Sequence, residues 1–104
     1  MSDHPVNGLD DTVHQRVRLG ILAIAQQARR VDFIFLRTEL GLTAGNLSQH
    51  LNVLDKADLI IIEKGYEGKR PRTWIRLTKE GRMALRDEIR TLKTLIHQLE
   101  ADVR

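Results

Sequence analysis

A glycine turn between two short amphipathic segments, two strand patterns flanking a basic loop, and a heptad-spaced apolar run near the end of the chain predict an α+β fold. The order helix, helix, turn, helix, strand, basic hairpin, strand, long helix makes it a winged helix-turn-helix: a three-helix core, a two-stranded wing and a long C-terminal helix. With 104 residues there is room for one such domain. The 41% hydrophobic and 30% charged fractions are those of a chain that buries a core rather than staying disordered.

Residues 1–9, which include Pro5 and Gly8, read as a flexible tail, and residues 10–78 as the winged domain. Asp10, Asp11 and Thr12 offer N-cap oxygens and favourable negative charge to a first helix. Its stripe of Val13, Val17, Ile21, Ile24 and Ala28, widened by Leu22 and Ala25, predicts a helix to about Ala28. Asp32 caps a shorter second helix with Phe33, Leu36 and Leu40 on one face, and Gly41 stands where a helix end takes the left-handed conformation. Thr43 caps the third helix, residues 43–57, whose Leu47, Leu51 and Leu54 face inward with Leu42. Leu59-Ile60-Ile61-Ile62 reads as a buried strand, and Gly65 to Pro71 as a loop. The second strand, Thr73 to Leu77, alternates: Thr73, Ile75 and Leu77 on one face, Trp74 and Arg76 on the other. Residues 79–104 form the last helix, capped by Thr78, with Leu85, Ile89, Leu92, Ile96, Leu99 and Val103 in a heptad seam.

Several functions are disfavoured by composition alone. The absence of cysteine removes disulfides, thiolate metal sites and thiol nucleophiles. The N-terminus has three acids, no Lys or Arg and no apolar run, unlike a signal or transit peptide, and a cytoplasmic location is expected. His4, His14 and His97 have no partners arranged as a catalytic set, so no enzyme is expected. His97 and Glu100 stand at i, i+3, a spacing that suits metal. The upstream stretch Asp87-Glu88-Ile89 adds no histidine to that pair, and neither metal nor other cofactor is predicted.

The net charge of +3 says little until its distribution is considered. From Lys64 to Arg82 there are seven basic residues (Lys64, Lys69, Arg70, Arg72, Arg76, Lys79, Arg82) against two acids (Glu67, Glu80), a local +5. A basic hairpin beside a helix-turn-helix is the electrostatic footprint of a nucleic-acid binder. The third helix presents Gly45, Ser48, Gln49 and Asn52 opposite its leucines, with Asn46 on the flank. Such short uncharged groups donate and accept hydrogen bonds: Asn and Gln suit adenine in the major groove, while Ser48 and the Thr43 hydroxyl suit phosphate. In the wing, residues 64–73, Lys64, Lys69, Arg70 and Arg72 offer charge to phosphates or a narrow minor groove, on a loop stiffened by Pro71. Tyr66 suits either the sugar-phosphate backbone or wing packing, and Trp74 suits packing against the helices. His50, between the buried and exposed faces, suits either a DNA contact or a capping or packing role.

The run Leu42-Thr43-Ala44-Gly45-Asn46-Leu47-Ser48-Gln49-His50-Leu51, then Leu54, Gly68-Lys69-Arg70-Pro71-Arg72-Thr73 and Leu77-Thr78-Lys79-Glu80-Gly81 resembles the small winged-helix DNA-binding family related to the MarR and ArsR regulators. Arg18-Leu19-Gly20-Ile21-Leu22 is similar to that family's first-helix signature, and the likeness spans roughly Asp10 to Leu85. The resemblance implies transcriptional control, by repression through promoter occlusion, and includes His50 among the possible DNA contacts. The seam implies a homodimer through the last helix, which would set two recognition helices on an inverted-repeat operator. Two rivals stay open: a winged helix that binds protein without DNA, and a monomer whose last helix folds back on its first.

Overall fold

The computed structural model describes residues 3–103, so residues 1–2 of the expected tail and residue 104 of the expected last helix lie outside it. Four helices and a three-stranded antiparallel sheet follow the order α1 (Arg16–Gln26), β1 (Val31–Asp32), α2 (Phe33–Leu40), α3 (Ala44–Lys56), β2 (Ile60–Glu67), β3 (Arg70–Leu77) and α4 (Lys79–Asp102). The sheet order is β1-β3-β2. The wing is the β2–β3 hairpin, and β1, absent from the two-stranded sheet expected, adds a third strand by pairing Val31 with Ile75 and Asp32 with Trp74.

Side-chain caps set the helix boundaries. Asp32 Oδ2 accepts from Ile34 N and Phe35 N at the start of α2, and Thr43 Oγ1 from Asn46 N at the start of α3. Between them Gly41 takes φ 64° and ψ 42°, which closes α2 and makes the tight turn into α3. The first helix begins later than its acidic start signal implies. Asp10 Oδ1 accepts from Thr12 N in a local turn, and it is Gln15 Oε1 that caps α1 by accepting from Arg18 N. Val13 is fully buried yet precedes the helix. Residues Pro5–Gly8 of the expected tail form a short 3₁₀ turn that packs against α4 near Thr91.

Leucines 36, 47, 51 and 54 join Ile21, Leu22, Ile60, Ile75 and Leu85 in one core. Both wing strands run on past the loop expected over Gly65 to Pro71, from Ile60↔Leu77 out to Glu67↔Arg70. The turn is only two residues, Gly68 (φ 65°) and Lys69, because a glycine at positive φ matches the twist of a tight hairpin.

The start of α4 is fixed by two carbonyls and the Thr78 hydroxyl. Leu59 O accepts from Thr78 N, Thr78 Oγ1 accepts from Gly81 N, and the Thr78 hydroxyl donates to Asp58 O. A Cβ on Gly81 would stand 2.0 Å from Leu59 O. Thus anchored, α4 leaves the body of the domain, and the molecule measures 57 × 24 × 22 Å. Leu85 is buried, whereas Ile89, Ile96, Leu99 and Val103 are 44, 51, 53 and 83% exposed.

Candidate nucleic-acid interface

With Leu47, Leu51 and Leu54 turned inward, α3 leaves Gly45, Asn46, Ser48, Gln49 and Asn52 exposed, and Thr43 is exposed at its cap. No charged side chain lies among those residues. A groove of about 290 Å³ runs between α3 and the wing, with Phe33, Leu51 and Ile62 as its apolar lining and Ser48, Asn52, Lys64 and Thr73 as its polar one. Three residues singled out from sequence, Ser48, Asn52 and Lys64, are thereby brought to one surface. Lys69 and Arg70 are exposed at the wing tip and form no ion pair among the described residues.

Arg72 differs from the other wing cations in being paired within the protein. The sequence groups it with the DNA-facing cations of the wing, and in the structure its Nη1 lies 3.3 Å from Asp32 Oδ1 and its Nη2 3.5 Å from Glu67 Oε1. Asp32 therefore does two jobs: one oxygen caps α2, the other holds the wing strand against the helix. Strand alternation explains the placement, since Arg72, Trp74 and Arg76 share the sheet face that points away from the core. On that face Arg76 pairs with Glu63, and the Arg30 guanidinium lies 4.0 Å over the Trp74 ring. Trp74 is thus turned away from the helices against which it was expected to pack. Tyr66 is 75% exposed on the wing.

His50 is half-buried on the flank of α3, with Nδ1 3.1 Å from Arg18 Nη1. Burial of the ring, and then the Arg18 charge, hold its pKa below the ordinary imidazole value of 6.5. Arg18 is the residue that sequence reading undervalued. It stands in the first-helix signature, yet nothing in the spacing announces a partner thirty-two positions away.

Hydrogen-bonding groups of α3 and the charge of Lys64 meet in the groove, and Lys69 and Arg70 stand farther out on the same hairpin. Over residues 17–96 the chain matches the family model described as "Winged helix DNA-binding domain". The chain belongs to this family. It is 32% identical over 84 residues to an uncharacterized protein, MJ0432, of Methanocaldococcus jannaschii, a match covering 81% of this chain and 91% of that one. Among solved structures it is similar to a transcriptional regulator homologue from Pyrococcus horikoshii OT3. That likeness has a TM-score of 0.85 and 29% identity, and covers 91% of this chain and 96% of the other. A MarR-family regulator from Enterococcus faecalis V583 is also similar, with TM-score 0.69, 27% identity and coverage of 94% and 84%. The family is one of DNA-binding domains, and these two structures are named for transcriptional regulation. No helix among the described residues is long and apolar enough to cross a membrane.

Proposed function

We propose that this protein is a transcriptional repressor that reads a specific sequence in double-stranded DNA, with α3 in the major groove and the wing on the flanking backbone. The observation that carries the reading is the division of chemistry on one surface. From Gly45 to Asn52 the exposed side of α3 is uncharged and hydrogen-bonding, charge returning only at Asp55 and Lys56 in its last turn, while Lys64 supplies a cation in the groove beside it and Lys69 and Arg70 supply two more at the wing tip. Asn46, Gln49 and Asn52 select bases, and Ser48 and Thr43 bind phosphate at the helix start. Gly45 lets the DNA backbone approach. Arg72 positions the wing through Asp32 rather than meeting DNA as a free cation. Two copies joined through α4 bind an inverted repeat, and an occupied promoter is closed to polymerase.

Selection from a random duplex pool, followed by titration at several salt concentrations, tests the reading. An enriched inverted repeat is expected, bound with an affinity that falls steeply with salt. Lys69→Ala with Arg70→Ala should weaken binding to all sequences alike and flatten the salt dependence. Gln49→Ala or Asn46→Ala should cost about 1–3 kcal/mol at particular base positions and relax the consensus there. A chain that enriches no sequence and binds no duplex at low salt is not a DNA reader, and the protein-binding alternative then takes its place.

A further inference from the structure

The contact between Arg18 and His50 fixes a chemical state. Arginine has no hydrogen-bond acceptor and keeps its charge, so at 3.1 Å Arg18 Nη1 can only donate. Nδ1 of His50 must then offer a lone pair, and the proton of the neutral ring stands on Nε2. An imidazolium would set two cations against each other and leave Nη1 without its acceptor. The guanidinium cannot swing aside, because Arg18 Nε donates to Thr12 O at 2.7 Å and Nη2 to Asp11 O at 3.2 Å.

Those two carbonyls belong to a segment that is itself anchored. Asp10 N donates to Glu88 Oε1 at 3.0 Å, Val13 is fully buried, and the Glu88 carboxylate on α4 is 1% exposed. His14 Nδ1 lies 3.0 Å from Glu88 Oε2, within ion-pair reach but off the hydrogen-bonding line. The orientation of Arg18 is thus set by α4 through residues 10–14, and the orientation of His50 by Arg18. His50 directly follows Gln49, and its Nε2 lies on the ring edge away from the nitrogen that Arg18 holds.

We propose that Arg18 is a positioning residue for DNA reading: it holds His50 as a neutral donor, protonated on Nε2, at the flank of the recognition helix, where His50 donates to an acceptor on DNA. The inference rests on the reading of α3 as the DNA-facing helix. The acceptor is either a guanine N7 or O6 edge or a phosphate oxygen, and the two sources behave differently. A lost base contact relaxes the consensus at one position, whereas a lost phosphate contact weakens every sequence alike.

Imidazole nitrogen NMR on the free protein and duplex titrations on the same samples make the test. The wild-type His50 is expected to show a protonated Nε2 and bare Nδ1, persisting below pH 6.5. Arg18→Met removes the guanidinium donors while keeping an apolar stem that reaches as far as Nε. It should mix the two ring tautomers and move the His50 midpoint up toward its ordinary value. Its operator affinity should fall about tenfold at pH 7.5, and its binding at pH 6 should become more salt-dependent as an imidazolium pairs with phosphate. Arg18→Lys, which keeps one donor, should fall between the two. His50→Ala should lose about as much affinity as Arg18→Met, His50→Gln should stay within about threefold of wild type, and the double variant Arg18→Met/His50→Ala should lose no more than His50→Ala alone.

A wild-type ring protonated on Nδ1, an unchanged affinity in His50→Ala, or additive losses in the double variant would each overturn the proposal. The His50 variants keep it falsifiable if Arg18→Met fails to fold. A wild type that binds no duplex would overturn the reading of the interface and this proposal with it, and the ring spectrum, recorded without DNA, tells that failure from a misassigned Arg18 contact.

Discussion

Gly81 and Gly20 both sit inside helices, where alanine is intrinsically favoured by about 1 kcal/mol. Their surroundings separate them. At Gly81 a methyl would stand 2.0 Å from Leu59 O and 3.0 Å from Leu59 C, a backbone carbonyl whose oxygen also accepts from Thr78 N and which cannot retreat without tearing α4 from the sheet. At Gly20 it would stand 2.9 Å from Leu40 Cδ2, the movable end of a half-buried side chain. Gly81→Ala should therefore destabilise by at least about 3 kcal/mol, while Gly20→Ala should stay within about 1 kcal/mol of wild type, as urea unfolding would measure. His50 gives a second residue-scale expectation, in pH. Its folded-state pKa lies below 6.5, so from about pH 6.5 downward the unfolded chain takes up a proton more readily than the native one. The stability it contributes is present above that pH and is lost as pH falls through the folded value. Between pH 7.5 and 5.5, wild type should lose more stability than His50→Gln, and an equal loss in both would remove His50 from the account.

Elements announced by chemistry that acts within three or four residues were legible in advance. Asp32, Thr43 and Thr78 cap α2, α3 and α4 as the sequence predicts, and Gly41 ends α2. What escaped depends on partners distant in the chain. The two-residue β1 exists only because β3 offers it a ladder, and α1 starts late because Asp10 closes a local turn and Glu88 of α4 holds the Asp10 amide. The same limit applies to the candidate site. The outward placement of Gly45, Ser48, Gln49 and Asn52 on α3 follows from its leucine spacing, but the pairing of Arg72 with Asp32, forty residues away, does not. Within α3, Gly45 offers a test that separates folding from binding. Apart from its chain neighbours and the backbone of its own helix, no atom lies within 4 Å of a Cβ built there, so Gly45→Ala should raise stability by roughly 0.5 kcal/mol. If DNA approaches the start of α3 closely, the same methyl should lower operator affinity by about tenfold or more. Greater stability with unchanged affinity would show that the backbone of DNA stays clear of Gly45.

At the scale of the whole molecule, the 57 Å long axis belongs to a chain whose last helix outruns its own core. The 24 residues of α4 span about 36 Å, but only Leu85 of its seam is fully covered; Leu92 is half-buried and the other four seam residues are exposed. The fold-back monomer would need α1 to cover that stripe, and α1 ends at Gln26, beside the first turns of α4 near Arg82 and Leu85. An apolar strip this long in water favours self-association, and a seam that pairs with its own copy closes in a two-fold dimer instead of an open chain. Such a dimer would present two α3 helices about 34 Å apart, one turn of DNA, and so requires an inverted repeat. Leu92→Asp with Ile96→Asp places two carboxylates in the seam, where burying them unpaired would cost several kcal/mol. Sedimentation should then show the wild type as a dimer at micromolar concentration and the double variant as a folded monomer. The variant should bind a single half-site as wild type does while losing the advantage of the full repeat. A wild type that sediments as a monomer, or a double variant that still dimerises and binds the full repeat normally, would exclude α4 as the interface.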